Sequence, residues 1–135
     1  MKDMKLNKYF FLILLIATHS FAQNFSNFNW SRLPFDSDAY VDFVTIKGDQ
    51  VFGFKVFTLY EYESISSAQM WGLSEITEFE INCQKGTIQV IKNFWTEKKM
   101  GKGRITNSGG PFPKSHVTKY LDGTFQRKLF THMCK

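Results

Sequence analysis

Residues 75–96 read EITEFEINCQKGTIQVIKNFWT. Over 75–83 the character alternates. Thr77, Phe79, Ile81 and Cys83 point one way, while Glu78, Glu80 and Asn82 point the other. That period of two is the pattern of a strand with one wet face, and it sets Cys83 on the core side. Gln84-Lys85-Gly86 leaves room only for a tight turn. Residues 87–96, with Ile88, Val90, Ile91, Phe94 and Trp95, form a second strand. Two strands joined by so short a turn pair as an antiparallel hairpin.

The same reading extends in both directions. Upstream, residues 51–62 (VFGFKVFTLYEY) are the longest β-like run, and both of their faces are largely apolar. Such a run predicts a central strand covered on each side. Residues 40–46 are extended, 47–50 (Lys-Gly-Asp-Gln) a turn, and 64–70 a small, polar loop. Phe25, Phe28 and Trp30 open the domain, residues 30–33 give a short first strand, and 34–38 turn. Downstream, the glycines of 97–103 make a second hairpin tip, 104–107 return, and 108–113 form a Gly/Pro loop. The period then becomes helical: Phe125, Leu129 and Met133 recur every fourth residue, with Phe130 beside them and Thr124 as N-cap. Cys134 ends that helix. The fold class is α+β: an antiparallel sheet of about five to six strands with a short C-terminal helix.

The 135 residues, 43% hydrophobic and 21% charged, are globular in composition and bound the chain to one domain. Lys2, Lys5 and Lys8 precede the apolar run YFFLILLIA at 9–17, and Ser20-Phe21-Ala22 supplies small residues for cleavage. This predicts a signal peptide over 1–22 and a single domain over 24–135. The run is too short for a membrane anchor, which needs roughly twenty residues. No Cys stands at the cut, so there is no lipobox, and the expected location is periplasm, cell surface or medium. In an exported chain the two cysteines, Cys83 and Cys134, read as one disulfide.

Charge is unevenly spread. Residues 24–84 hold three basic and nine acidic residues, and 85–135 hold eleven basic and two acidic. The mature chain is therefore +3, and an exported domain of this charge is not expected to meet nucleic acid.

The sequence carries no pattern of catalytic or metal-binding chemistry. Cys83, His116, His132 and Cys134 are potential metal ligands, but no CxxC or HxxxH spacing occurs, and on a helix His132 and Cys134 point about 200° apart. No GxSxG or SxxK marks a nucleophile, and no P-loop or dinucleotide fingerprint occurs. Glu78 and Glu80 share a strand face and read as solvated. The expectation is a protein that is not an enzyme and carries no cofactor. What rises above this background is Lys98, Lys99, Lys102 and Arg104 around the 97–103 tip, flanked by Trp95 and Met100. Clustered cations attract sulfated glycans, lipid head groups or acidic proteins. They also block edge association of strands, or face the acidic strand within the fold or across a homodimer.

The ordered set of features resembles the surface-adhesin protein E family of Gram-negative bacteria. It comprises Trp30, Tyr40-Val41-Asp42, Lys47-Gly48-Asp49, Tyr60-Glu61-Tyr62, Phe79-Glu80-Ile81-Asn82-Cys83, Lys85-Gly86, Met100-Gly101-Lys102-Gly103 and the final helix ending at Cys134. Asn82 stands where that pattern has Asp, and Phe57 where it has Trp. The resemblance implies a Cys83–Cys134 bridge, an envelope or surface location, and adhesion to host cells or matrix proteins. The functional expectation is an adhesin-like module that engages a host extracellular-matrix protein or an anionic glycan through Lys98, Lys99, Lys102 and Arg104. The alternative is a periplasmic structural or regulatory homodimer.

Overall fold

The 75–96 hairpin forms as its sequence requires and takes inner positions in the sheet. The computed structural model describes residues 25–49, 52–63 and 72–135. The expected signal segment and the loop at 64–70 lie outside these residues. The strands β1 (Trp30–Arg32), β2 (Ala39–Asp49), β3 (Gly53–Glu61), β4 (Ser74–Asn82), β5 (Thr87–Thr96) and β6 (Ile105–Gly109) lie side by side in chain order. Every neighbouring pair is antiparallel. A two-residue β7 (Ser115–His116) pairs with the start of β5, while β6 pairs with its end, so one edge of β5 is shared between them. The α-helix α1 (Phe125–Met133) follows.

Register assigns the two faces of the sheet. Phe54 lies opposite Ile81, Val56 opposite Phe79, and Thr58 opposite Thr77 on one face; Leu59 lies opposite Ile76 on the other. The first face gathers Leu33, Ala39, Val41, Phe54, Val56, Phe79, Ile81 and Ile88 beneath Leu129 of α1. The second gathers Leu59, Ile76 and Phe94 under Phe25, with Phe28, Trp30, Tyr40 and Phe57 around them. Aromatic residues roof this second core. Phe25 lies 5.0 Å from Phe94, and Phe28 lies 5.0 Å from Phe57 and 5.2 Å from Trp30, centroid to centroid. The apolar character of both faces of the 51–62 run therefore reflects two separate cores.

The helix starts where expected: Thr124 Oγ1 accepts the Arg127 N–H. It stops at Cys134, whose N–H bonds the Phe130 carbonyl. Leu129 is fully buried. A disulfide joins Cys134 to Cys83, which follows β4 directly, with Cα atoms 5.4 Å apart. It fastens the end of the helix to the sheet.

Local readings change: Ser108 and Gly109, read as loop, pair with Phe94 and Asn93 as the end of β6. Residues 47–49 are strand, not turn: Lys47 pairs with Lys55, Gly48 with Phe54 and Asp49 with Gly53. Gly48 has a φ of 97°, and a Cβ there would collide with the Gly53 carbonyl, so glycine serves a close strand approach. The reversal comes later, and Phe52, read as strand, sits in it, 86% exposed, with its N–H on Asp49 Oδ1. Asn82 is buried rather than wet, because its Oδ1 accepts the Lys85 N–H and shapes the turn that follows.

Cys83→Ser should lower the unfolding free energy by about 2–4 kcal/mol through loss of loop closure. Urea unfolding with and without reductant measures it, and reduction should leave the variant unchanged. Leu129→Ala should cost about 2–5 kcal/mol by the same assay, as befits a buried leucine with few ways to fill the space.

Candidate functional site

The basic segment between β5 and β6 is folded back onto the sheet. Glu97 N–H bonds the Arg104 carbonyl, Lys98 N–H the Lys102 carbonyl, and Lys102 N–H the Lys99 carbonyl. Lys99–Gly101 forms a 3-10 turn in which Met100 has a φ of 58° and Gly101 one of 69°. Two residues from elsewhere in the sheet hold this turn. The buried Ser74 hydroxyl lies 2.9 Å from both Glu61 Oε1 and the Lys98 carbonyl. It donates its one proton to either and accepts the Gly101 N–H at 3.2 Å. Glu61 Oε1 also accepts the Met100 N–H at 2.6 Å, and Thr96 Oγ1 donates to the Lys98 carbonyl at 3.0 Å. Gly101 is buried against the second core: an added Cβ would lie 2.8 Å from Ile76 Cδ1 and 3.2 Å from Phe25 Cβ. Only glycine fits that space at that φ.

With its backbone pinned, the turn presents its cations outward. Lys98, Lys99, Lys102 and Arg104 are all exposed. Among the described residues the three lysines form no ion pair, whereas Arg104 Nε lies 3.3 Å from Glu97 Oε2. The Arg104 backbone N–H and then its guanidinium hold the Glu97 carboxyl below its ordinary range. A group with a depressed folded pKa contributes above its ordinary value, so this contact is complete at neutral pH and is lost as acid protonates Glu97. Trp95 is buried and so does not flank the cluster at the surface, and Met100 is half-buried.

The other candidates are structural. Glu78 pairs with Lys55 at 3.7 Å and Glu80 with Lys114 at 2.9 Å, so their shared face is an ion-paired surface. Cys83 and Cys134 are bonded to each other. His116 caps a 3-10 turn, accepting the Thr118 N–H, and the His132 ring packs 5.8 Å from that of Phe35. Among the described residues no three His, Cys, Asp or Glu side chains gather as a metal site.

Two clefts were not anticipated. A shallow groove of about 490 Å³ runs between Pro34-Phe35 and the outer side of α1, where Arg127 is paired with Asp122 at 3.2 Å. A smaller cavity of about 220 Å³ lies on the helix-bearing face of the sheet, lined by Tyr60, Tyr62, Glu75, Thr77, Asn93 and Phe125 among others. Its sequence signal was Glu75 alone, a carboxylate in the period of Thr77, Phe79 and Ile81; Asn93 joins that face only through the bulge at Ile91.

Ser74→Ala should cost about 1–3 kcal/mol, because it leaves the Gly101 N–H without its acceptor in a buried place. Hydrogen exchange should show the amides of Met100 and Gly101 losing protection before those of β4 and β5.

Residues 30–135 match the family model described as surface-adhesin protein E. No curated protein and no solved structure matches the chain. The matched span runs from β1 through both cysteines, the pinned basic turn and α1 to the last residue. The chain belongs to the surface-adhesin protein E family.

Proposed function

We propose that this chain is exported through a cleaved signal peptide and works as an adhesin-like module whose pinned basic turn engages a host extracellular-matrix protein or an anionic glycan. Its family supports an adhesin-like surface protein in general. The observation that carries the finer reading is the fixed backbone beneath Lys98, Lys99 and Lys102. A turn already held by Ser74, Glu61 and Thr96 has little backbone entropy left to lose on binding, so its cations act together. Arg104 stands at the rim, already engaged by Glu97, and contributes less. Glu61, Glu78 and Glu80 are held by partners inside the fold. The alternative, a periplasmic homodimer joined acid to base, therefore has fewer free carboxylates to draw on.

Heparin and a panel of matrix proteins, titrated against the mature chain at low and physiological salt, test this reading. Saturable binding should weaken as salt rises. The variant Lys98→Gln, Lys99→Gln, Lys102→Gln should bind about tenfold less tightly, since three exposed charge contacts contribute roughly 0.5 kcal/mol each. A flat salt dependence overturns the electrostatic reading. Absence of binding, with sedimentation showing a dimer that loosens in salt, favours the homodimer.

A further inference from the structure

The helix is too short for the sheet it covers. Nine helical residues span about 13 Å at 1.5 Å each, whereas the nine residues of β3 or β4 span about 30 Å. Leu129 packs into the core that holds Ile81 and Ile88, near the disulfide. Beyond Phe125 no described residue covers the same sheet face, and the 220 Å³ cavity lies there.

Its floor is Thr58, Thr77 and Phe79, all buried, with Val90 beside them; Tyr60, Phe125 and Gln126 stand at the sides. At the polar end Glu75 Oε2 accepts the Tyr62 hydroxyl at 2.7 Å, and Glu75 Oε1 accepts Asn93 Nδ2 at 2.8 Å. This network fixes the Asn93 amide, because a flip would set its oxygen against the carboxylate. Asn93 Oδ1 is then a buried acceptor with no hydrogen-bond partner among the described residues. Glu75 itself is half-buried and, among the described residues, meets only neutral donors. Segment 64–71, which joins β3 to β4, contains no lysine or arginine to serve as its counter-ion.

Glu75, whose carboxylate meets no cation among the described residues, and Asn93, whose Oδ1 has no partner among them, both line this space, and a buried acceptor is costly unless a donor meets it. A ligand must therefore bring several donors, and positive charge suits Glu75 best. We propose that this cleft receives a lysine or arginine side chain of a partner polypeptide. The apolar stem lies along Val90, Phe79 and Phe125, the cationic head meets Glu75 and Asn93 Oδ1, and the Tyr60 ring offers a face to the charge. The volume is below the roughly 300–1,000 Å³ of drug-sized sites and suits one side chain, with the rest of the partner outside. Among the described residues no cation lines the cavity to hold a second, anionic end of a free amino acid.

The test is a titration of the ¹⁵N-labelled mature chain with Gly-Lys-Gly, Gly-Arg-Gly, Gly-Leu-Gly, cadaverine and methyl glucoside, read by amide chemical shifts. The two basic peptides should give saturable shifts at Thr77, Asn93 and Gln126, and Gly-Leu-Gly none. Glu75→Gln should weaken them by roughly tenfold or more, the usual cost of removing one partner of a desolvated charge pair. If Glu75→Gln fails to fold, Gln126→Trp at the mouth decides, since it fills the entrance and leaves Glu75 in place. Persistence of the shifts in the variant overturns the proposal. So does response to methyl glucoside alone, which makes this a sugar site, or to cadaverine alone, which makes it a free-amine site. Silence from every probe also overturns it.

Discussion

The pairing of β3 with β4 is the constraint on which the rest depends. Its eight paired positions run without a break from Phe54↔Ile81 to Glu61↔Ser74. A slip of β4 by one residue would turn its faces over against β3. Phe79 would leave the core beneath the helix, and Ile76 would leave the aromatic roof. Because each face has its own cover, a helix on one and Phe25, Phe28 and Trp30 on the other, both covers enforce the same register. A one-sided sheet would have only one.

The first two residues of β4 show how far this reaches. Ser74 and Glu75 are neighbours and so point to opposite faces. Ser74 reaches the turn that displays the lysines, on the side roofed by Phe25. Glu75 reaches the cavity beside α1. A basic surface and an acceptor-lined cleft thus hang from adjacent positions of one strand. Any shift in how β4 begins disturbs both together.

What was legible in the sequence was local or periodic. Alternation over 75–83, the short turn after it, the four-residue spacing of Phe125, Leu129 and Met133, and the two cysteines each encode an element within reach of the chain itself. What was hidden is long-range. The hold of Ser74 on Gly101 joins residues 27 apart, and that of Glu61 on Met100 residues 39 apart. No local pattern marks them, and the cation cluster could be seen where its rigidity could not. Gly48 misled for a physical reason: a glycine serves a close strand contact as readily as a turn, and only the facing Gly53 carbonyl distinguishes the two. Glu75 shares the period of Thr77, Phe79 and Ile81, but Asn93 reaches that face only through the extra residue Ile91 between Val90 and Lys92, which alternation cannot show. That they face one cavity follows only from the length of the helix and the pairing of β4 with β5.

The disulfide has one more consequence, which concerns proteases. The covalent ring from Cys83 to Cys134 encloses β5, the basic turn, β6, β7 and α1. Lys98, Lys99, Lys102 and Arg104 are exposed and lie inside the ring. A single trypsin-like cut after any one of them opens the ring but releases nothing, because the two pieces stay joined through sulfur. One nick in the basic turn therefore leaves the molecule in one covalent piece.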